Sequence, residues 1–104
     1  MDSTQSENVF QVHIQLPKVF TSKFTSLIPK QRAKVNQLLE KQIILNYALD
    51  ISRENLWITI RAKNQLEVMD ILATFPIIKD VQVDIFELAF FDTAPINFPH
   101  IILN

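Results

Sequence analysis

The sequence predicts an α+β fold with the order β-α-β-β-α-β, the split βαβ arrangement, in which two helices cover one face of a four-stranded antiparallel sheet. Three observations predict it. Strand-like runs occupy residues 9–16, 43–51, 56–62 and 81–88, and helical periodicity appears in two places only, residues 20–42 and 65–75. At 104 residues and 48% hydrophobic content, the chain matches a single domain with enough apolar side chain to fill a core.

The polar residues 1–8 are expected to fray. In the first strand Phe10, Val12, Ile14 and Leu16 alternate with Gln11, His13 and Gln15, the pattern of a half-buried strand, and Pro17 ends it. The first helical region carries Phe20, Phe24, Leu27, Ile28, Val35, Leu38 and Leu39 on one stripe. Pro29 interrupts this stripe, and the preferred reading is a short first turn followed by a fresh helix starting near Pro29. Next comes a hairpin turning at residues 52–55, which would pair Asp50 with Trp57, Ala48 with Thr59 and Asn46 with Arg61. Asn64 and Glu67 form a capping-box variant opening the second helix, whose expected buried stripe is Leu66, Met69, Leu72 and Phe75, helped by Val68 and Ile71. Pro76 stops that helix, and the last strand places Val83 and Ile85 on one face and Gln82, Asp84 and Phe86 on the other. Residues 9–90 form the expected domain. The apolar tail, residues 91–104, is expected to pack on the domain or on a neighbouring subunit.

Composition excludes several kinds of chemistry. Ten basic residues against eleven acidic, scattered along the chain, supply no basic stripe, so neither nucleic acid nor an anionic membrane is an expected partner. No apolar run is long enough to span a bilayer and the polar start lacks the features of a signal peptide, which makes the cytoplasm the default location. Without cysteine there are no disulfides, thiolate nucleophiles or iron–sulfur ligands. Without glycine the phosphate-cradling loops and the strained nucleophile elbow are impossible, and turns must rely on Asn, Asp, Ser and Pro. His13 and His100 lie too far apart in sequence to suggest a metal site, and no cofactor is expected.

The face away from the helices would carry Gln11, His13, Gln15, Asn46, Asp50, Trp57, Thr59, Arg61, Gln82, Asp84 and Phe86. A mixture of imidazole, guanidinium, carboxylates and large rings suits a concave site where a few polar groups fix a small organic ligand against aromatic walls. His13 is the candidate base and Arg61 the candidate carboxylate anchor, with Asp84 or Gln11 orienting the imidazole. Trp57 and Phe86 would be walls, and Thr59 would contribute to binding. The same residue types also fit a solvated sheet face or an interface.

The segment Phe10-Gln-Val-His-Ile-Gln-Leu-Pro17, the amphipathic run from Arg32 to Glu40 and, above all, Leu66–Leu72 followed by Phe75-Pro76-Ile77 and Val81-Gln-Val-Asp-Ile85 resemble the muconolactone isomerase family over roughly residues 9–90. The resemblance implies a ferredoxin-like protein of the dimeric α/β-barrel type, in which two sheets face one another and rings of dimers can form. It also implies a small organic acid or lactone as ligand, a proton-shift isomerisation without cofactor, and a homodimer or higher oligomer. Where the family has a glycine after its first helix this chain reads Glu40-Lys41-Gln42, so the resemblance carries over architecture and no catalytic residue. Three readings follow: an isomerase-like enzyme, a non-catalytic oligomeric binding or assembly module of the same fold, or a monooxygenase of the same barrel class that works without cofactor.

Overall fold

The structure, a computed structural model, describes residues 7–94. In chain order it consists of β1 (Asn8–Gln15), α1 (Ser22–Glu40), β2 (Ile44–Leu49), β3 (Asn55–Ala62), α2 (Gln65–Leu72) and β4 (Gln82–Glu87), with one turn of 3-10 helix at Ile78–Asp80 before β4. The strands form one sheet in the order β2-β3-β1-β4 with antiparallel neighbours, the arrangement of a ferredoxin-like α+β fold. The expected packing of the tail from Pro95 onward, and His100 with it, lies outside the described residues.

Period-two alternation decides which way each strand faces. Phe10, Val12, Ile14 and Leu16, together with Leu56, Ile58, Ile60 and Ala62, are buried against Phe24, Val35 and Leu38 of α1 and Val68 and Leu72 of α2. Phe75 and Ile77, just after α2, close the same core. Removing this apolar surface from water, at about 25 cal/mol per Å², is the main force holding helices to sheet.

Helix α1 corrects the expected break at Pro29, since it runs unbroken from Ser22 to Glu40 with that proline inside. Its N-cap is Thr21, whose hydroxyl accepts from the Phe24 amide at 3.1 Å, and the buried stripe from Phe24 to Leu38 continues on both sides of Pro29. Packing along that stripe offsets the helix bond that proline cannot make. At the other end the Ile43 amide donates to Leu38 and the Gln42 amide to Leu39, each at 3.0 Å, which is the Schellman closure.

In that closure Gln42 takes φ 61°, and Arg53 takes φ 63° in the β2–β3 turn. A chain without glycine was expected to turn on Asn, Asp, Ser and Pro; instead a Gln and an Arg occupy the left-handed region, where the Cβ crowds the backbone. Gln42→Gly is therefore expected to stabilise the fold by about 1 kcal/mol, the relief of strain exceeding the extra unfolded-state entropy. A higher urea midpoint with unchanged slope is the reading that bears this out; an unchanged or lower midpoint argues against strain at this position.

The second helix also differs from expectation. Val68 and Leu72 are buried, whereas Leu66 and Met69 are 65% and 51% exposed. Steps of three lag a full helical turn by about 60°, so the run 66, 69, 72 fans out while 68 and 72 stay aligned. A capping-box variant forms, with the return bond one residue before the N-cap. Asn64 accepts from the Glu67 amide at 2.9 Å, and Glu67 reaches back to the Lys63 amide at 2.8 Å.

The hairpin register is two residues away from the expected one: Ala48 pairs with Trp57, Tyr47 with Ile58 and Asn46 with Thr59. Asp50 closes the turn instead of lying opposite Trp57, its amide donating to Asn55 at 3.0 Å. An even-numbered shift keeps every β3 side chain on its predicted face. It leaves Ile51, assigned to the core side of the hairpin, 98% exposed in the turn.

Candidate functional site

The open face of the sheet is organised as cross-strand rows. One runs Ala48, Trp57, His13, Asp84, and the next runs Asn46, Thr59, Gln11, Phe86. His13, Trp57 and Asp84 therefore meet on the two central strands and β4, away from the helices, as the alternation predicted. The His13 and Trp57 rings lie 5.5 Å apart, tilted by 37°. Trp57 and Phe86 remain 39% and 56% exposed, leaving two ring surfaces facing outward beside the imidazole.

The turn supplies the part of this site that sequence reasoning missed. The Asp50 carboxylate accepts from the Glu54 and Asn55 amides at 3.0 and 3.1 Å, from the Asn55 side-chain nitrogen at 2.8 Å and from the Ser52 hydroxyl at 2.9 Å. These bonds, the Asn55 side chain first, hold its carboxyl well below the usual carboxylate range. A carboxylate can only accept, so Asn55 must turn its nitrogen toward Asp50 and its oxygen the other way. That oxygen lies 2.8 Å from His13 Nε2. An acceptor there requires a proton on Nε2, which leaves Nδ1 as the basic nitrogen of the neutral ring. Nδ1 sits 3.9 Å from an Asp84 carboxylate oxygen. At that distance Asp84 is an electrostatic neighbour of the ring and makes no hydrogen bond with it.

Of the two residues expected to orient His13, neither does so directly; Asn55 does. Gln11 is engaged by Thr59, whose hydroxyl lies 2.8 Å from Asn46 Oδ1 and 3.2 Å from Gln11 Oε1. Thr59 is 1% exposed despite lying on the open face. Asn55 was legible only as part of a turn. With the register set by Asp50, it moves onto β3 diagonal to His13, the spacing at which long side chains meet across strands.

Arg61 stands apart. It pairs with Val9, four residues from His13 along β1, which puts the two backbones roughly 13 Å apart. Its Nε lies 3.3 Å from Glu7 in a half-exposed ion pair. The proposed base and anchor thus share a face but occupy different ends of it.

No protein-family model matches this chain, and no curated protein does either. The functional reading therefore stands on the geometry. Among the described residues there is no cluster of three or more His, Cys, Asp or Glu that could hold a metal ion, and no helix long and apolar enough to cross a membrane.

The Asp50 contacts carry a pH prediction. Because the folded state keeps this carboxyl ionised far below 3.8, its ordinary value, the unfolded chain takes up the proton first on acidification. The stabilisation by Asp50 is fully present above that value and is lost as pH falls toward the lower folded-state value. Asp50→Ala is expected to lower the urea midpoint at pH 7, with the gap from the unaltered protein narrowing at pH 2.5. A gap that stays constant or widens on acidification contradicts the assignment.

Proposed function

We propose that this protein is muconolactone isomerase-like, a member by architecture of the dimeric α/β barrels, and that it binds a small organic acid or lactone between the open faces of two paired sheets. The observation that carries the reading is the line Asp50–Asn55–His13, which sets the Nε2–H form of the imidazole and leaves Nδ1 free to act as a base on the ring-walled side of the sheet. Trp57 and Phe86 would flank the ligand. A second copy of the chain would close the cavity and exclude water, which strengthens every charge interaction within it.

The chemistry is a proton-shift isomerisation. His13 Nδ1 takes a proton from the carbon next to the ligand carbonyl, and the C–H electron pair moves into an enolate whose negative charge rests on the carbonyl oxygen. The same proton returns from Nδ1 to another carbon of the conjugated system, so a double bond moves and no electrons are gained or lost. The imidazolium formed in between is stabilised by the neighbouring Asp84 carboxylate, and Arg61 would anchor the acid group. Because Arg61 lies about four residues along the strand from the His13 row, it must swing from Glu7 or act across the pair of sheets.

The ion pair of Arg61 with Glu7 favours a second reading, a non-catalytic oligomeric module in which Trp57 and Phe86 are interface anchors. Turnover of muconolactone and related lactone acids separates the two. On the enzyme reading His13→Ala abolishes turnover and leaves the oligomer intact by light scattering; unchanged turnover removes His13 from the mechanism. If no lactone acid is turned over and none raises the melting temperature, the enzyme reading fails, because a ligand that binds only the native state must stabilise it. A strict monomer in light scattering contradicts both readings.

A further inference from the structure

The helix-covered side of the sheet holds a hollow that none of the predicted site residues lines. A cleft of about 650 Å³ opens at the β2 edge between α1 and the sheet. Its volume is of small-molecule size, for which roughly 300–1,000 Å³ is usual. Phe24, Ile28 and Leu39 form one wall, a single stripe of α1, and Tyr47, Leu49 and Leu56 form the other. Two guanidinium groups join these apolar walls, Arg32 from the middle of the same α1 stripe and Arg53 from the β2–β3 turn.

Neither arginine makes an ion pair among the described residues. Arg32 lies close enough to Tyr47 for its charge to act on the phenol: burial pushes the Tyr47 hydroxyl above its ordinary value, and Gln31 and Arg32 oppose that rise. Gln31 sits behind this corner, 4% exposed, and accepts from the Ile77 amide at 3.4 Å. Among the described residues its buried side-chain nitrogen has no hydrogen-bond partner within 3.5 Å. The cleft is otherwise apolar, and its two guanidinium groups meet no acid from the described residues.

We propose that this cleft binds an amphipathic monocarboxylate, its apolar body along the Phe24–Ile28–Leu39 stripe and its carboxylate accepting hydrogen bonds from Arg32 and Arg53. Guanidinium groups match a carboxylate's paired acceptors, and the low-polarity walls strengthen that contact relative to water. A cation of the same chain length is repelled by the two arginines. Asn46 is the one open-face residue that borders this cleft, and the site does not depend on the chemistry of the His13 row.

The test is calorimetric titration of the full chain with decanoate and with decyltrimethylammonium. Saturable one-to-one binding of decanoate is expected, with none for the cation. Arg32→Ala combined with Arg53→Ala should weaken decanoate binding by about tenfold or more, the scale of a lost charge-assisted contact. Both positions are exposed, as is Asn36 on the cleft wall, where Asn36→Trp should block entry without disturbing the core. Absence of saturable decanoate binding, equal binding of the cation, or undiminished affinity in a double variant that circular dichroism shows to be folded would overturn the proposal. So would loss of decanoate binding in His13→Ala, since that places the ligand on the open face. Failure of lactone turnover leaves this prediction untouched.

Discussion

Pro29→Ala is expected to stabilise the protein by about 2 kcal/mol, an unusual direction for a single substitution. Proline lies eight residues into a 19-residue helix, where it withholds an amide from the Thr25 carbonyl and crowds that oxygen with its ring. The intrinsic penalty is about 3 kcal/mol relative to alanine, and alanine returns about 0.4–1 kcal/mol of it through the looser unfolded chain. Pro29 is exposed, so the exchange leaves the buried stripe from Phe24 to Leu38 in place. Urea unfolding followed by far-ultraviolet circular dichroism reads the result as a raised midpoint. A lowered midpoint would mean that the helix needs the proline, for instance to seat its first two turns on the sheet.

Phe10→Ala is expected to act in the opposite direction, costing about 4 kcal/mol. Phe10 is fully buried on β1, a central strand, where it pairs with Ile60 on one side and Glu87 on the other. Truncation removes the ring's transfer energy and leaves a cavity that two flanking strands prevent from collapsing. For a domain with typical stability of about 5–15 kcal/mol this is a large fraction, and the melting temperature should fall steeply. Phe10→Leu should recover part of the loss. An alanine variant as stable as the unaltered chain would mean that the sheet and helices close over the gap.

The two substitutions mark how far the sequence could be read. Phe10 was legible as core because a buried position on a half-covered strand announces itself by alternation alone. Pro29 was misread because its local penalty is visible in the sequence, while the packing that offsets it comes from residues as distant as Ile77 and Leu56. The same division runs through α2, where an apolar stripe was recognised but its exact heading was set by the sheet beneath it.

The open face divides in the same way. His13, Trp57, Asp84, Gln11, Thr59 and Phe86 were assigned to one face by period two, and the structure brings them into adjoining rows. Asn55, the group that orients His13, escaped because its role depends on a turn whose register Asp50 decides. Arg61 shares the face but not the neighbourhood, since face membership says nothing about distance along the strand.

The order of elements, the side of the sheet taken by the residues of β1, β3 and β4 and the N-cap of α2 follow from the amino-acid sequence by itself, because each depends on a repeat or a contact spanning a few residues. Alternation alone puts Leu45 on the core side of β2, but a bulge between Ile44 and Asn46 turns Ile44 into the core. The hairpin register, the unbroken helix through Pro29, the protonated nitrogen of His13 and the cleft beneath Arg32 and Arg53 were decided only by the tertiary structure. Each of these rests on groups brought together from separate elements, and no local spacing encodes such a meeting.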